Sequence, residues 1–152
     1  MAEFYSRKPT RIPGYDYSRV NYYFITICTH EKRCIFGIPS QLNQFGLIAK
    51  KHIEDLESHY ESVKVDKYVV MPNHIHLILI LDQQVENQNI SNIVGLLKMG
   101  ITREIRFHVP QMRLWQRSFH DHVIRNQQGY EKIWTYIENN PLKWEEDCFY
   151  CE

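Results

Sequence analysis

A chain of 152 residues with 43% hydrophobic side chains is long enough for one packed core and too short to suggest two. No apolar run approaches the roughly 18 residues of a membrane span, and residues 1–10 are polar and basic, so neither an anchor nor a signal peptide is predicted and a cytoplasmic protein is expected. The formal net charge is zero, with 18 Lys and Arg against 18 Asp and Glu, so any phosphate binding must rest on a local excess of cations.

Residues 1–18 read as a basic arm containing Arg7, Lys8 and Arg11. Residues 22–29 (YYFITICT) are rich in β-branched and aromatic side chains and follow the turn-prone Pro13 and Gly14, which predicts the first strand. Over residues 43–59 the apolar Leu47, Ile48, Ile53 and Leu56 recur near helical spacing, with Asn43 placed to cap the start. Residues 63–70 and 74–81 read as neighbouring antiparallel strands joined across Pro72 and Asn73. After a polar loop at residues 83–89, Ile93, Val94, Leu97, Ile101 and Ile105 mark a helix over 90–109. Residues 115–125 predict a further strand, and 130–140 a last helix stopped by Pro141. Residues 142–152 form an acidic tail. The order β-α-β-β-α-β-α implies an α+β fold, a ferredoxin-like antiparallel sheet followed by a C-terminal helix, in a single domain over residues 1–152.

Charge is unevenly placed along this order. Between residues 95 and 125 the cations Lys98, Arg103, Arg106, Arg113, Arg117 and Arg125 stand against only Glu104 and Asp121, whereas residues 126–152 are net acidic. Such polarity fits either a phosphate-binding stretch or ordinary solvated faces. The four cysteines, Cys28, Cys34, Cys148 and Cys151, are too few for a disulfide framework and read as reduced thiols. Cys148 and Cys151 have C-x-x-C spacing, but lie where chain order is least assured.

The chemistry is concentrated in two places. In Met71-Pro72-Asn73-His74-Ile75-His76-Leu77, two histidines at positions i and i+2 of a strand point to one side, about 7 Å apart, so both imidazoles can reach one divalent ion. A second pair, His120 and His122, has the same spacing and sits beside Arg117 and Arg125, which suits phosphate or base contact as well as coordination. A histidine-triad nucleotide hydrolase would need a third alternating histidine, where this chain has Ile78. In Tyr136-Ile137-Glu138-Asn139-Asn140-Pro141, Tyr136 and Asn140 stack on one helical face about 5.4 Å apart, so a phenol and an amide can face one site. Pro141 disfavours helical geometry at Asn140, which leaves Asn139 as an alternative, and Tyr130 is an alternative phenol that cannot share a face with Tyr136.

The blocks Gly14-Tyr15-Asp16-Tyr17, Tyr23-Phe24-Ile25-Thr26-Ile27-Cys28-Thr29, Val69-Val70-Met71-Pro72-Asn73-His74-Ile75-His76, Trp115-Gln116-Arg117-Ser118-Phe119, His122-Val123-Ile124-Arg125-Asn126 and Tyr136 to Pro141 resemble, in this order, the HUH-type single-tyrosine transposases of small insertion sequences, above all the REP-associated tyrosine transposases. The resemblance implies a transposase that cuts and rejoins single-stranded, hairpin-bearing DNA through a 5′-phosphotyrosine. It implies Tyr136 as nucleophile, and His74, His76 and Asn140 as ligands of a divalent Mg or Mn ion, with no nucleotide cofactor. It makes Lys98, Arg103, Arg106, Arg117, His122 and Arg125, with Arg11 of the arm, candidates for contact with DNA. It leaves monomer and homodimer both open. The rival reading is a non-catalytic hairpin-binding protein derived from such a transposase.

Overall fold

The computed structural model describes residues 21–86, 88–147 and 149–150; Arg7, Lys8, Arg11, Cys148 and Cys151 lie outside them. In chain order the elements are β1 (Asn21–Cys28), a short hairpin of β2 (Gly37–Ile38) and β3 (Gln41–Leu42), α1 (Gln44–Glu54), α2 (Leu56–His59), β4 (Val63–Met71), β5 (His74–Leu81), α3 (Ile90–Ile105), β6 (His120–Ile124) and α4 (Gln127–Asn139). Four strands make one antiparallel sheet in the order β4-β5-β1-β6, the ferredoxin-like arrangement expected. Among the described residues no helix is long and apolar enough to cross a membrane.

Strand alternation divides the interior into two layers. Tyr23, Ile25 and Ile27 of β1 and Ile75, Leu77, Leu79 and Leu81 of β5 face α1 and α3, whose Ala49, Ile53, Ile93, Val94, Leu97 and Ile101 close the main core. Each fully buried aliphatic side chain there contributes roughly 1.5–3 kcal/mol. The other face carries Ile78 and Ile124, covered by Ile137 of α4 together with Phe24, Val69, Tyr130 and Ile133. β5 is therefore buried on both sides, which explains its nearly continuous apolar run. His74 and His76 have the parity of Ile78, so they face the α4 side.

The turn from β4 to β5 is tied down from β1. The backbone N–H and hydroxyl of Thr29 both donate to the carbonyl of Asn73, each at 3.0 Å, and Phe36 N–H donates to Pro72 O. This fixes the chain at the point where His74 begins.

Several boundaries differ from expectation. The helix over 43–59 breaks at Asp55, and α2 then turns to bury Leu56. The strand over 115–125 shrinks to β6: Trp115 makes an isolated bridge to Thr29, Ser118 has φ 69°, and the carbonyls of Gln116 and Ser118 accept from Lys98 Nζ instead of joining a ladder. α4 starts earlier because the Asn126 side chain accepts from Gly129 N–H and caps it. Asn140 keeps helical angles (φ −57°, ψ −43°) despite Pro141, which starts a 3-10 segment at Pro141–Glu146. Cys34 is disulfide-bonded whereas Cys28 is a buried thiol outside any disulfide, so the expectation of four reduced thiols fails at Cys34: bridging needs a second thiol within reach, which chain spacing does not show.

Candidate active site

His74 and His76 are fully buried or nearly so, with ring centroids 4.5 Å apart. Each is held at Nδ1. Asn73 donates through Nδ2 to the carbonyls of Lys32 and Phe149, which turns its Oδ1 toward His74, 2.8 Å from Nδ1. That oxygen can only accept, so the proton of His74 sits on Nδ1 and the lone pair on Nε2. Thr26 Oγ1 lies 2.8 Å from His76 Nδ1 and accepts from it in the tautomer that leaves Nε2 bare.

Burial also keeps these rings uncharged. Removal from water pushes the His74 pKa down to about 4, against the opposing pull of the Asp147 carboxylate and then of the neighbouring Asn140 side chain. Burial, and then the neighbouring His74, push His76 well below the usual imidazole range. Phe149 packs 4.5 Å from the His74 ring and Phe24 stacks 5.3 Å from the His76 ring, which accounts for the dryness.

Three buried polar atoms have no hydrogen-bond partner among the described residues: His74 Nε2, His76 Nε2 and Asn140 Oδ1. Asn140 donates through Nδ2 to Asp147 Oδ2 at 2.8 Å, leaving its carbonyl oxygen for the site. One ligand atom each of His74, His76 and Asp147 lies within 4.8 Å of the others. Two imidazole nitrogens, an amide oxygen and a carboxylate form a donor set suited to a divalent cation such as Mn or Mg.

Tyr136 comes to the same place. Its ring lies 5.3 Å from that of His76 and edge-on to Phe24 at 6.4 Å, and its side chain stays partly exposed. It lines a cleft of about 510 Å³ with Lys132, Thr135, Asn139, Asn140, Lys143, Glu146 and Asp147. Tyr130 is elsewhere: its hydroxyl donates to Asp66 Oδ2 at 2.5 Å, and that bond, with burial and the charge of Asp66, pushes its pKa up to about 12.

His120 and His122 share the sheet face of His76, since Thr26 pairs with both His76 and His120, but β6 leaves them exposed and outside the cluster. The predicted DNA contacts do not gather on one surface. Lys98, Arg103 and Arg106 line a cleft of about 590 Å³ with Met99, Thr102, Phe107 and Trp115, on α3 and so across the sheet from Tyr136. Lys98 Nζ is engaged by two carbonyls, and Arg106 Nε donates to Met112 O. Arg117 is exposed before β6, and Arg125 lines a smaller cleft with Tyr22 and Tyr130. Arg11 falls outside the described residues.

Sequence reasoning missed Asn73, Thr26, Asp147, Lys132 and Lys143. Only Lys132 carried a local signal, four residues before Tyr136 on the same helical face. The others meet the site through tertiary contacts.

The family described as "Transposase IS200 like" matches residues 16–140. An uncharacterized protein of Haemophilus influenzae is 33% identical over 99% of this chain and 97% of its own length. A second protein of that organism, whose name provisionally assigns it to the REP-associated tyrosine transposases, is 27% identical over 84% of this chain and 74% of its own. Among solved structures, a REP-associated tyrosine transposase bound to a REP hairpin superposes with a TM-score of 0.67 at 19% identity, covering 88% of this chain and 73% of that one. A provisionally assigned transposase of Deinococcus radiodurans superposes with a TM-score of 0.56 at 20% identity, covering 85% and 95%.

Proposed function

We propose that this chain, which belongs to the IS200-like transposase family, cuts and rejoins single-stranded DNA beside a hairpin, with Tyr136 as nucleophile and a divalent Mn or Mg ion held by His74, His76 and Asn140. The observation that carries this reading is three buried atoms, His74 Nε2, His76 Nε2 and Asn140 Oδ1, with no hydrogen-bond partner among the described residues, near the Tyr136 ring. The hairpin is taken from the structural neighbour, which is a transposase bound to a REP hairpin.

In this reading the bound ion supplies Lewis acidity to the scissile phosphate. Tyr136 Oη attacks phosphorus, the bond from phosphorus to the 3′ oxygen breaks, and the phenolic proton ends on the departing 3′ hydroxyl. The phosphate stays joined to Tyr136 at the 5′ end of the cut strand, so a later 3′ hydroxyl can reverse the step with no nucleotide cofactor. Asn73 and Thr26 keep both imidazoles in the tautomer that offers Nε2. Lys132 and Lys143 flank the cleft and offset the charge of neighbouring phosphates. Arg103, Arg106, Arg117, His122 and Arg125, with Arg11, take the stem and flanking strand, so the DNA wraps past the β6 edge. Tyr136 sits against His76 of its own chain, an arrangement suited to cutting in cis.

A labelled single-stranded hairpin oligonucleotide incubated with the protein and Mn or Mg tests this directly. The native protein is expected to cut it, leaving a free 3′ hydroxyl, and the His74→Ala, His76→Ala double variant is expected to bind without cutting. Hairpin binding with no cutting by the native protein under either ion would overturn the enzyme reading in favour of a binding protein.

A further inference from the structure

We propose that Asp147, which follows the 3-10 segment after α4, is a fourth protein ligand of the divalent ion, and that the ion thereby orders the chain end on the site. This deepens the reading above and rests on an ion at His74 and His76.

Asp147 is half-buried as a residue, but its side chain is only 1% exposed. Among the described residues, the one basic group within 4.0 Å of its carboxylate is His74, whose Nε2 lies 3.8 Å from Oδ2. A buried ionised carboxylate calls for a cation or a full set of hydrogen bonds. Its bonds among the described residues come from neutral donors: Asn140 Nδ2 to Oδ2 and Phe149 N–H to Oδ1, both at 2.8 Å. A carboxylate has about four acceptor positions, so capacity remains on the side facing the histidines.

The spacing fits a shared ion rather than a direct bond. Ligand atoms about 2.1 Å from one ion lie roughly 3.0 Å apart when adjacent and 4.2 Å when opposite. The 3.8 Å from His74 Nε2 to Asp147 Oδ2 is too long for a hydrogen bond and falls within that range. The mutual limit of 4.8 Å for the three groups closes to it with a shift of a few tenths of an ångström. Asn73 links the two parts of the device: its Oδ1 orients His74, and its Nδ2 donates to Phe149 O at 2.7 Å, two residues beyond Asp147. The ring of Phe149 then covers His74. The resulting donor set, two neutral imidazoles, one amide oxygen and one carboxylate, suits Mn²⁺ better than Mg²⁺, because imidazole is a poorer partner for the harder ion.

The test is a titration of the full chain, free of DNA, with Mn²⁺, reading unbound ion from its electron paramagnetic resonance signal. Asp147→Asn keeps an acceptor for Asn140 and removes the charge; its affinity is expected to fall at least ~10-fold. Mn²⁺ should raise the melting temperature of the native chain much more than that of the variant. An affinity for Asp147→Asn equal to native or tighter overturns the proposal, leaving Asp147 to position Asn140 or to compete with the ion. A chain ending at Glu146 guards against a misfolded point variant: the same loss is expected, and native affinity in it is equally contrary. The His74→Ala, His76→Ala variant separates the two levels. Loss of binding there with native affinity in Asp147→Asn sinks this inference alone, whereas retained binding in the double histidine variant sinks the underlying metal site.

Discussion

Two histidine pairs of identical spacing lie on the same face of one sheet, and only one is buried and fixed in orientation as a metal ligand would need to be. His76 and His120 both pair with Thr26 of β1, from opposite sides, so the two motifs are separated by a single strand. On β5 the imidazoles are buried under α4, Phe149 and Phe24, and each is fixed at Nδ1 by a neighbouring side chain. On β6, at the sheet edge, His120 and His122 are exposed. Alternation along a strand brings two rings to one side; burial and a partner at the far nitrogen leave the other nitrogen free to coordinate.

The widest separation between the pairs is expected in catalysis. Removing His74 and His76 together withdraws several kcal/mol of charge stabilisation, so cleavage of hairpin DNA should fall by at least ~10³-fold. His120→Ala with His122→Ala should stay within a few-fold of native. Comparable losses in both double variants would erase the distinction.

A second contrast is in stability against pH. The unfolded chain binds a proton at His74 near pH 6.5, whereas the native protein resists it until about 4. Between those values the unfolded state binds more protons, so stability is lost as pH falls from about 6.5 toward 4 and does not change on this account above it. His74 alone contributes on the order of 3 kcal/mol to that loss. Urea unfolding of the metal-free protein at pH 7 and 4.5 should show this fall, and His74→Asn should flatten it. An equally steep fall in His74→Asn would contradict the assignment.

Orientation of the rings gives a smaller effect. Asn73→Ala frees the His74 ring and should weaken Mn²⁺ binding by roughly 10–100-fold, measured by titration. Exchange of the half-buried Asp121 on β6 should leave it unchanged. The smallest effect concerns DNA outside the site: neutralising a true phosphate contact among Arg103, Arg106, Arg117 and Arg125 should reduce the salt slope of log affinity by about 0.7–0.9. Lys132→Gln and Lys143→Gln provide the comparison beside Tyr136. If only these two lower the slope, the DNA path runs along α4 and not across α3.

Much of this fold could be read from periodicity. The β-branched and aromatic composition of β1, the alternation at the start of β4 and the 3.6-residue spacing in α3 report on the elements and on what faces the core. The run in β5 was legible as a buried strand, and its parity placed both histidines on one side. Other features depend on contacts distant in sequence. Nothing near Ser118 announces that Lys98 will take its carbonyl and that of Gln116, which ends the strand expected from residue 115. The β2–β3 hairpin was signalled only by Gly37 and by Pro39-Ser40, where Gly37 and Ser40 adopt positive φ. Asn140 was legible as a partner of Tyr136 by helical spacing, and the structure keeps it helical where Pro141 suggested otherwise. Asp147 was hidden in an acidic tail, because its distinction is burial against residues more than seventy positions away.

The central claim is that the tyrosine beside the buried histidine pair is the group that takes the DNA. Native protein, Tyr136→Phe and Tyr130→Phe should each be incubated with hairpin DNA labelled on the 5′ product side and Mn²⁺, denatured, and digested for peptide mapping. Native and Tyr130→Phe are expected to yield a denaturant-resistant adduct on the peptide containing Tyr136, and Tyr136→Phe to bind the hairpin with no adduct. An adduct that persists in Tyr136→Phe, or that maps to Tyr130, would contradict the account.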